Sequence, residues 1–113
     1  MPDSGQDLIK AMRDQRLQLI DCVNAMKHTG RLLAQAEYEY KTSYRKEVFR
    51  LHEEDKTAWT STTDLAKGDE AVAKKRFKRD CYKSDYQCFL EKLNCIKIEI
   101  RLLENEIREE KAM

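Results

Sequence analysis

Four cysteines and two histidines are the side chains of this 113-residue chain best suited to nucleophilic, redox or metal chemistry. Spacing decides what they can do. Cys81, Cys88 and Cys95 recur every seven residues. On a helix that sets them on one face, about 10 Å apart at a rise of about 1.5 Å per residue. A disulfide needs Cα atoms within about 7 Å, so these thiols cannot bridge to one another within their helix. Zinc needs C-x2-4-C pairs, or Cys and His converging on one point, and the sequence has neither. The expectation is reduced thiols, Cys22 included, that act as small hydrophobes and are at least partly buried. An intermolecular disulfide and a metal are the less favoured alternatives. His28 and His52 belong to no local constellation. No Gly-rich phosphate loop, HExxH or GxSxG occurs. No catalytic residue, no metal site and no cofactor is therefore expected, and the chain reads as a non-enzyme.

Binding chemistry is better represented. Lys74, Lys75, Arg76, Lys78, Arg79 and Lys83 form the densest basic run, with Asp80 inside it. If the chain folds back on itself, the run faces Lys41, Arg45, Lys46 and Arg50, giving a basic band near the turn. Such a band could hold a phosphate backbone or an acidic protein surface. A solvated, salt-bridged helix face has the same composition, and Glu37, Glu39 and Glu47 would offset part of the charge. No recognition helix, zinc finger or RNP signature accompanies the run, so nucleic-acid binding would be largely non-specific. Glu99, Glu104, Glu106, Glu109 and Glu110 make the other end acidic.

These residues must ride on helices. Apolar side chains at Tyr82, Tyr86, Phe89, Leu93, Ile96, Ile100, Leu103 and Ile107 are spaced 4, 3, 4, 3, 4, 3, 4, an unbroken heptad seam. A first helix is expected over about 5–54, capped by Ser4, with a seam through Ile9, Met12, Arg16, Leu19, Val23, Met26, Gly30, Leu33, Glu37, Tyr40, Tyr44, Val48 and Leu51. The period carries across His28-Thr29-Gly30, so this helix is expected to continue, with Gly30 allowing close backbone approach. A break there, with Thr29 capping a new helix, is the alternative. The polar run over 55–69 marks a turn, with a short helical piece at 64–67 capped by Thr62 or Thr63 and ended by Gly68. Trp59 and Leu65 are expected to fold over the tip. Asp69 is the expected N-cap of a last helix over about 70–111.

The fold class is all-α: a long antiparallel helical hairpin in a single domain. A turn centred near residue 61 would set Tyr40 and Tyr44 against the Tyr82 region. The line Cys81, Cys88, Cys95, Leu102 widens the apolar stripe beyond a two-helix seam, which calls for another helix. Self-association through that line, as a homodimer forming a four-helix bundle, is the expected source. The formal net charge of +1 argues against a whole-surface nucleic-acid or membrane binder, and the mean hydropathy of -0.82 suits thin helical architecture in which each helix buries one stripe. The start Met1-Pro2-Asp3-Ser4 has no signal-peptide character, and no stretch approaches a transmembrane span. A cytoplasmic protein is expected.

Asp64-Leu65-Ala66-Lys67-Gly68-Asp69-Glu70-Ala71-Val72-Ala73, leading into a charged helix, together with Ala-Glu-Tyr-Glu-Tyr at 36–40, resembles small two-helix accessory proteins encoded by phages and prophages of Gram-positive bacteria. The resemblance spans about residues 30–110, and the heptad-spaced cysteines depart from it. It implies location in the host cytoplasm and a partner among host or phage proteins that process nucleic acid. The expected function is protein-protein interaction, as an inhibitor or modulator of such a protein. Non-specific nucleic-acid binding in DNA metabolism and a structural coiled-coil part of a particle are the alternatives.

Overall fold

Strong helix formers dominate the sequence, and helix accounts for nearly all of the structure. The computed structural model describes residues 5–112 and contains α1 (Gly5–Glu53), α2 (Trp59–Gly68) and α3 (Glu70–Ala112), with no strand among the described residues. The expected cap at Ser4 lies outside the described residues. Two compact units share these helices: unit 1 is Met1–His28 with Gln87–Met113, and unit 2 is Thr29–Tyr86. α1 runs unbroken through His28-Thr29-Gly30.

In unit 1 the segments of α1 and α3 run antiparallel. Gly5 lies beside the Glu110 side chain, and the Cys22 thiol donates to the Phe89 carbonyl at 3.3 Å. Leu8, Met12 and Leu103 form the buried cluster, with Ala11, Ile100 and Ile107 packed against it. Burying a Leu or Met fully is worth about 1.5–3 kcal/mol.

Unit 2 packs the rest of α1 and the start of α3 with α2. α1 stops after Glu53, where Lys56 takes a left-handed conformation (φ 56°) and the Thr57 amide reaches back to the Leu51 carbonyl at 2.9 Å. α2 begins at Trp59, five residues earlier than the sequence suggests. Its N-cap, Ala58, is extended and makes no side-chain cap bond. Thr62 is therefore inside the helix, not its cap. Fully buried, it donates its hydroxyl to the Trp59 carbonyl at 2.9 Å. Ala66 shares the buried face of α2. Asp69 is extended and its Oδ2 accepts the Val72 amide at 3.2 Å, so it caps α3 in the expected way.

The α3 seam is as the heptads predict: Tyr82, Tyr86, Phe89, Leu93, Ile96, Ile100, Leu103 and Ile107 are all buried or half-buried. The α1 seam is not. Ile9, Arg16 and Val23 are exposed, while Leu8, Gln15, Cys22, Thr29 and Ala36, each one position earlier, are buried or half-buried. These side chains are mostly small, and a small side chain lets a facing backbone come close, as the Cys22–Phe89 bond shows. At Gly30 an added Cβ would meet the Tyr86 ring at 3.6 Å, an ordinary van der Waals contact, so the expected close approach does not depend on the glycine.

The register also differs. Arg79 stacks on Tyr40 at 4.7 Å, where a centre at residue 61 would put Tyr82. That is a slide of about one turn. Its cause is α2, a ten-residue helix against the end of α1: Trp59 stacks on His52, and Thr63 shares a groove with Tyr44 and Val48. α3 therefore begins opposite an earlier turn of α1.

Leu103 is 3% exposed and Ile9 is 53% exposed. Leu103→Ala should cost about 2–5 kcal/mol, the usual range for a large-to-small core change. Ile9→Ala should fall within about 0.5 kcal/mol of wild type. Urea denaturation followed by circular dichroism distinguishes the two, and equal costs would contradict the burial described.

Candidate functional site

The end of α1 carries an ordered polar and aromatic group. Arg50 donates to Glu47 through Nε and Nη2 (2.6 Å for the latter) and to Asp55 through Nη1 at 3.1 Å. The hydrogen bond to Glu47 raises the guanidinium pKa above its ordinary range, with the charges of Glu47 and Asp55 adding and burial opposing. The group is solvent-exposed, so this network positions the chain end more than it stabilises the fold. One residue on from Asp55's partner Arg50 is Leu51, which is buried, and next to it stands His52. His52 Nδ1 donates to the Thr57 carbonyl at 3.0 Å, which fixes the ring proton on Nδ1.

Trp59 lies flat on that imidazole, with centroids 3.6 Å apart and planes at 19°. Phe49 meets the indole edge-on at 6.2 Å and 85°. Trp59 is nevertheless 52% exposed, and Leu65 on the same helix is 54% exposed. Of the two expected tip residues, Trp59 thus lies on the end of α1 while Leu65 stays open to solvent. The small residues Thr62 and Ala66 occupy the inward face of α2. Phe49 and His52 are the members of this cluster that sequence reasoning missed. The available signal was an off-seam Phe three residues before a His, just ahead of a Trp.

The residues of the expected basic band all lie in unit 2, interleaved with acids. Lys74 pairs with Glu70 (3.1 Å), Lys41 with Glu37 (3.5 Å), Lys78 with Glu39 across the helices (3.9 Å) and Arg79 with Asp80 (2.8 Å). Lys46 and Lys75 do converge, on one groove between α1 and α3, but Glu39, Glu47 and Asp69 line it too. Arg45 lines a different groove with Tyr44, Val48 and Thr63. Arg76 and Lys83 line neither. Surface pairs of this kind contribute little stability. Lys41, Arg45 and Lys46 do share one groove on α1 with Tyr38 and Thr42.

Cys81, Cys88 and Cys95 are exposed free thiols, against the expectation of partial burial, and Leu102 beside them in sequence pattern is half-exposed. Their line falls outside the seam within a single chain, since Tyr82, Phe89 and Ile96 take the inward positions. Cys22 alone is buried. Among the described residues no three His, Cys, Asp or Glu side chains gather as metal ligands, and no helix is long and apolar enough to cross a membrane. Comparison of the chain with family models, with curated proteins and with solved structures found no match.

These positions set thiol reactivity. In dilute native protein an aromatic disulfide reagent should label three thiols rapidly and the fourth, Cys22, only on unfolding. Mass spectrometry of the labelled chain gives the stoichiometry, and rapid labelling of Cys22 in the folded state would contradict the 2% exposure of that residue.

Proposed function

We propose that the chain is a non-enzymatic protein-interaction module whose recognition element is the Phe49–His52–Trp59 cluster, with Leu65 exposed on the same short helix as Trp59. The observation that carries this reading is an indole held in a 3.6 Å stack yet half open to solvent. Tryptophan is the residue type most enriched at binding hot spots. A ring already ordered by two neighbours loses little further entropy when a partner covers it. Exposed large apolar side chains grouped at one place mark interaction surfaces, whereas single ones do not.

Self-association belongs to the same reading. The exposed Cys88, Cys95 and Leu102 line supports it, since a solvent-facing apolar heptad line on a helix gains from a second copy. A homodimer forming a four-helix bundle is the simplest form. The resemblance to phage accessory proteins supports a more specific version, an inhibitor or modulator of a host nucleic-acid-processing or defence protein, acting in the host cytoplasm. Non-specific nucleic-acid binding through Lys74–Lys83 is the second reading. The ion pairs at Lys41, Lys74, Lys78 and Arg79 weigh against it, because a paired cation releases fewer counterions.

The test is capture of partners by the tagged chain from its native host, in parallel with Trp59→Ser/Leu65→Ser. Wild type should retain a specific protein that the variant loses, with affinity lowered at least about thirtyfold for a hot-spot change of about 2 kcal/mol. Equal retention by a variant of unchanged helicity would sink the tip as the recognition element. Salt-dependent binding of duplex DNA, abolished by Lys75→Glu/Arg76→Glu/Arg79→Glu, would favour the second reading instead.

A further inference from the structure

Unit 1 has an apolar-floored groove of about 550 Å³, built by the first turns of α1 and the last turns of α3. Ile9, Met12 and Ile107 supply apolar lining. Arg13, Arg16, Arg108 and Lys111 bring four cations to it, against one carboxylate, Glu104. None of the four is in an ion pair among the described residues, in contrast to the paired cations of unit 2.

The helical period extends this side. At about 100° per residue, Ile20 and Val23 continue the α1 edge, and Lys97 and Arg101 continue the α3 edge. All four are exposed. The same period sends the acids elsewhere. Asp14 and Asp21 leave α1 on the opposite flank, and Glu99 and Glu106 leave α3 on that flank too. The exposed thiols of Cys88 and Cys95 lie there, with Leu102 farther out. Unit 1 therefore has a basic apolar side and an apolar side on which acids outnumber the cations Lys10 and Lys92, while the formal charge of the whole chain is only +1.

We propose that the basic groove of unit 1 receives the acidic flank of a second copy, so that copies join head to tail. This rests on the self-association reading above, and it replaces the closed homodimer with an open contact that has a surface and a polarity. Both complementary surfaces are present in one chain, which is what identifies the occupant. A twofold pairing of groove on groove would set Arg13 and Arg108 against their own copies. The contact is therefore heterologous, and growth continues unless the arrangement closes into a ring. Phosphate would satisfy the arginines but leave Ile9, Ile20 and Val23 wet. The acidic flank brings Cys88 and Cys95 to cover them, which favours a protein occupant over nucleic acid.

Sedimentation velocity of the full chain with thiols kept reduced tests this. At about 0.1 M salt the average mass should climb with concentration, and it should fall at about 1 M, where the screening length shortens from about 10 Å to about 3 Å. Arg13→Glu/Arg108→Glu makes the groove acidic, and Asp14→Lys/Asp21→Lys makes the flank basic. Each variant alone should associate at least about tenfold more weakly, a loss of about 1.4 kcal/mol. Mixing the two variants should restore assembly, since each reversed surface then meets an opposite one. Circular dichroism establishes that both remain helical. Association that is unchanged by either reversal would overturn the groove–flank contact and leave self-association standing. A monomer at every concentration would overturn both. A chain that stays monomeric yet binds a short DNA duplex through Arg13 and Arg108 would assign the groove to nucleic acid and overturn the proposal.

Discussion

The Cys22 thiol donates to a main-chain carbonyl on the facing helix, the Phe89 oxygen, at 3.3 Å. Helices that approach this closely have no room for a large side chain between them. In unit 1 that condition is met by Cys22 on α1, with Leu8, Met12 and Leu103 filling the space toward the helix ends. In unit 2 it is met by Thr29 and Ala36 on α1 and by Thr62 and Ala66 on α2. Where the rest of the surface points follows from this choice. Once α1 turns its small residues inward, Ile9, Arg16 and Val23 must sit at the edge and the groove of unit 1 acquires its lining.

The α3 seam was legible because nothing competes with it. Its apolar residues recur without a slip, and the neighbouring line offers cysteines, which are smaller. On α1 two adjacent lines carry the same period. Ile9 and Val23 make one look more hydrophobic, while Cys22, Thr29 and Ala36 make the other smaller. Hydrophobicity favours the first line, and close approach favours the second. A periodicity argument that weighs only apolar bulk chooses wrongly between them at Ile9, Arg16 and Val23, and rightly over most of the rest of α1. The extent of α2 was hidden for a related reason. Thr60, Ser61, Thr62 and Thr63 read as turn residues, yet one of them, Thr62, is wholly buried and satisfies its hydroxyl on the Trp59 carbonyl within the helix.

Charge shows the same division between local and distant information. Glu37 with Lys41 and Glu70 with Lys74 are four apart, so their pairing can be read from spacing. The contact of Lys78 with Glu39 needs the fold. The basic groove of unit 1 needs it more, because Arg13 and Arg108 come from opposite ends of the chain. A dense basic run such as Lys74–Lys83 attracts notice in a sequence, and half of its cations, Lys74, Lys78 and Arg79, are answered by ion pairs. Arg13, Arg16 and Arg108 of unit 1 are scattered in sequence yet meet at one groove.

The stop after α1 has a bearing on the order in which the chain acquires its structure. Leu51, His52, Lys56, Thr57 and Trp59 make the stop from contacts within eight residues, so closing it orders little chain. The Cys22–Phe89 contact spans 67 residues. Loop-closure entropy rises with the logarithm of the loop, and each doubling costs about 0.6 kcal/mol. The reversal is thus the least expensive place for pairing to start. From there each new turn of α1 against α3 closes only a short additional loop.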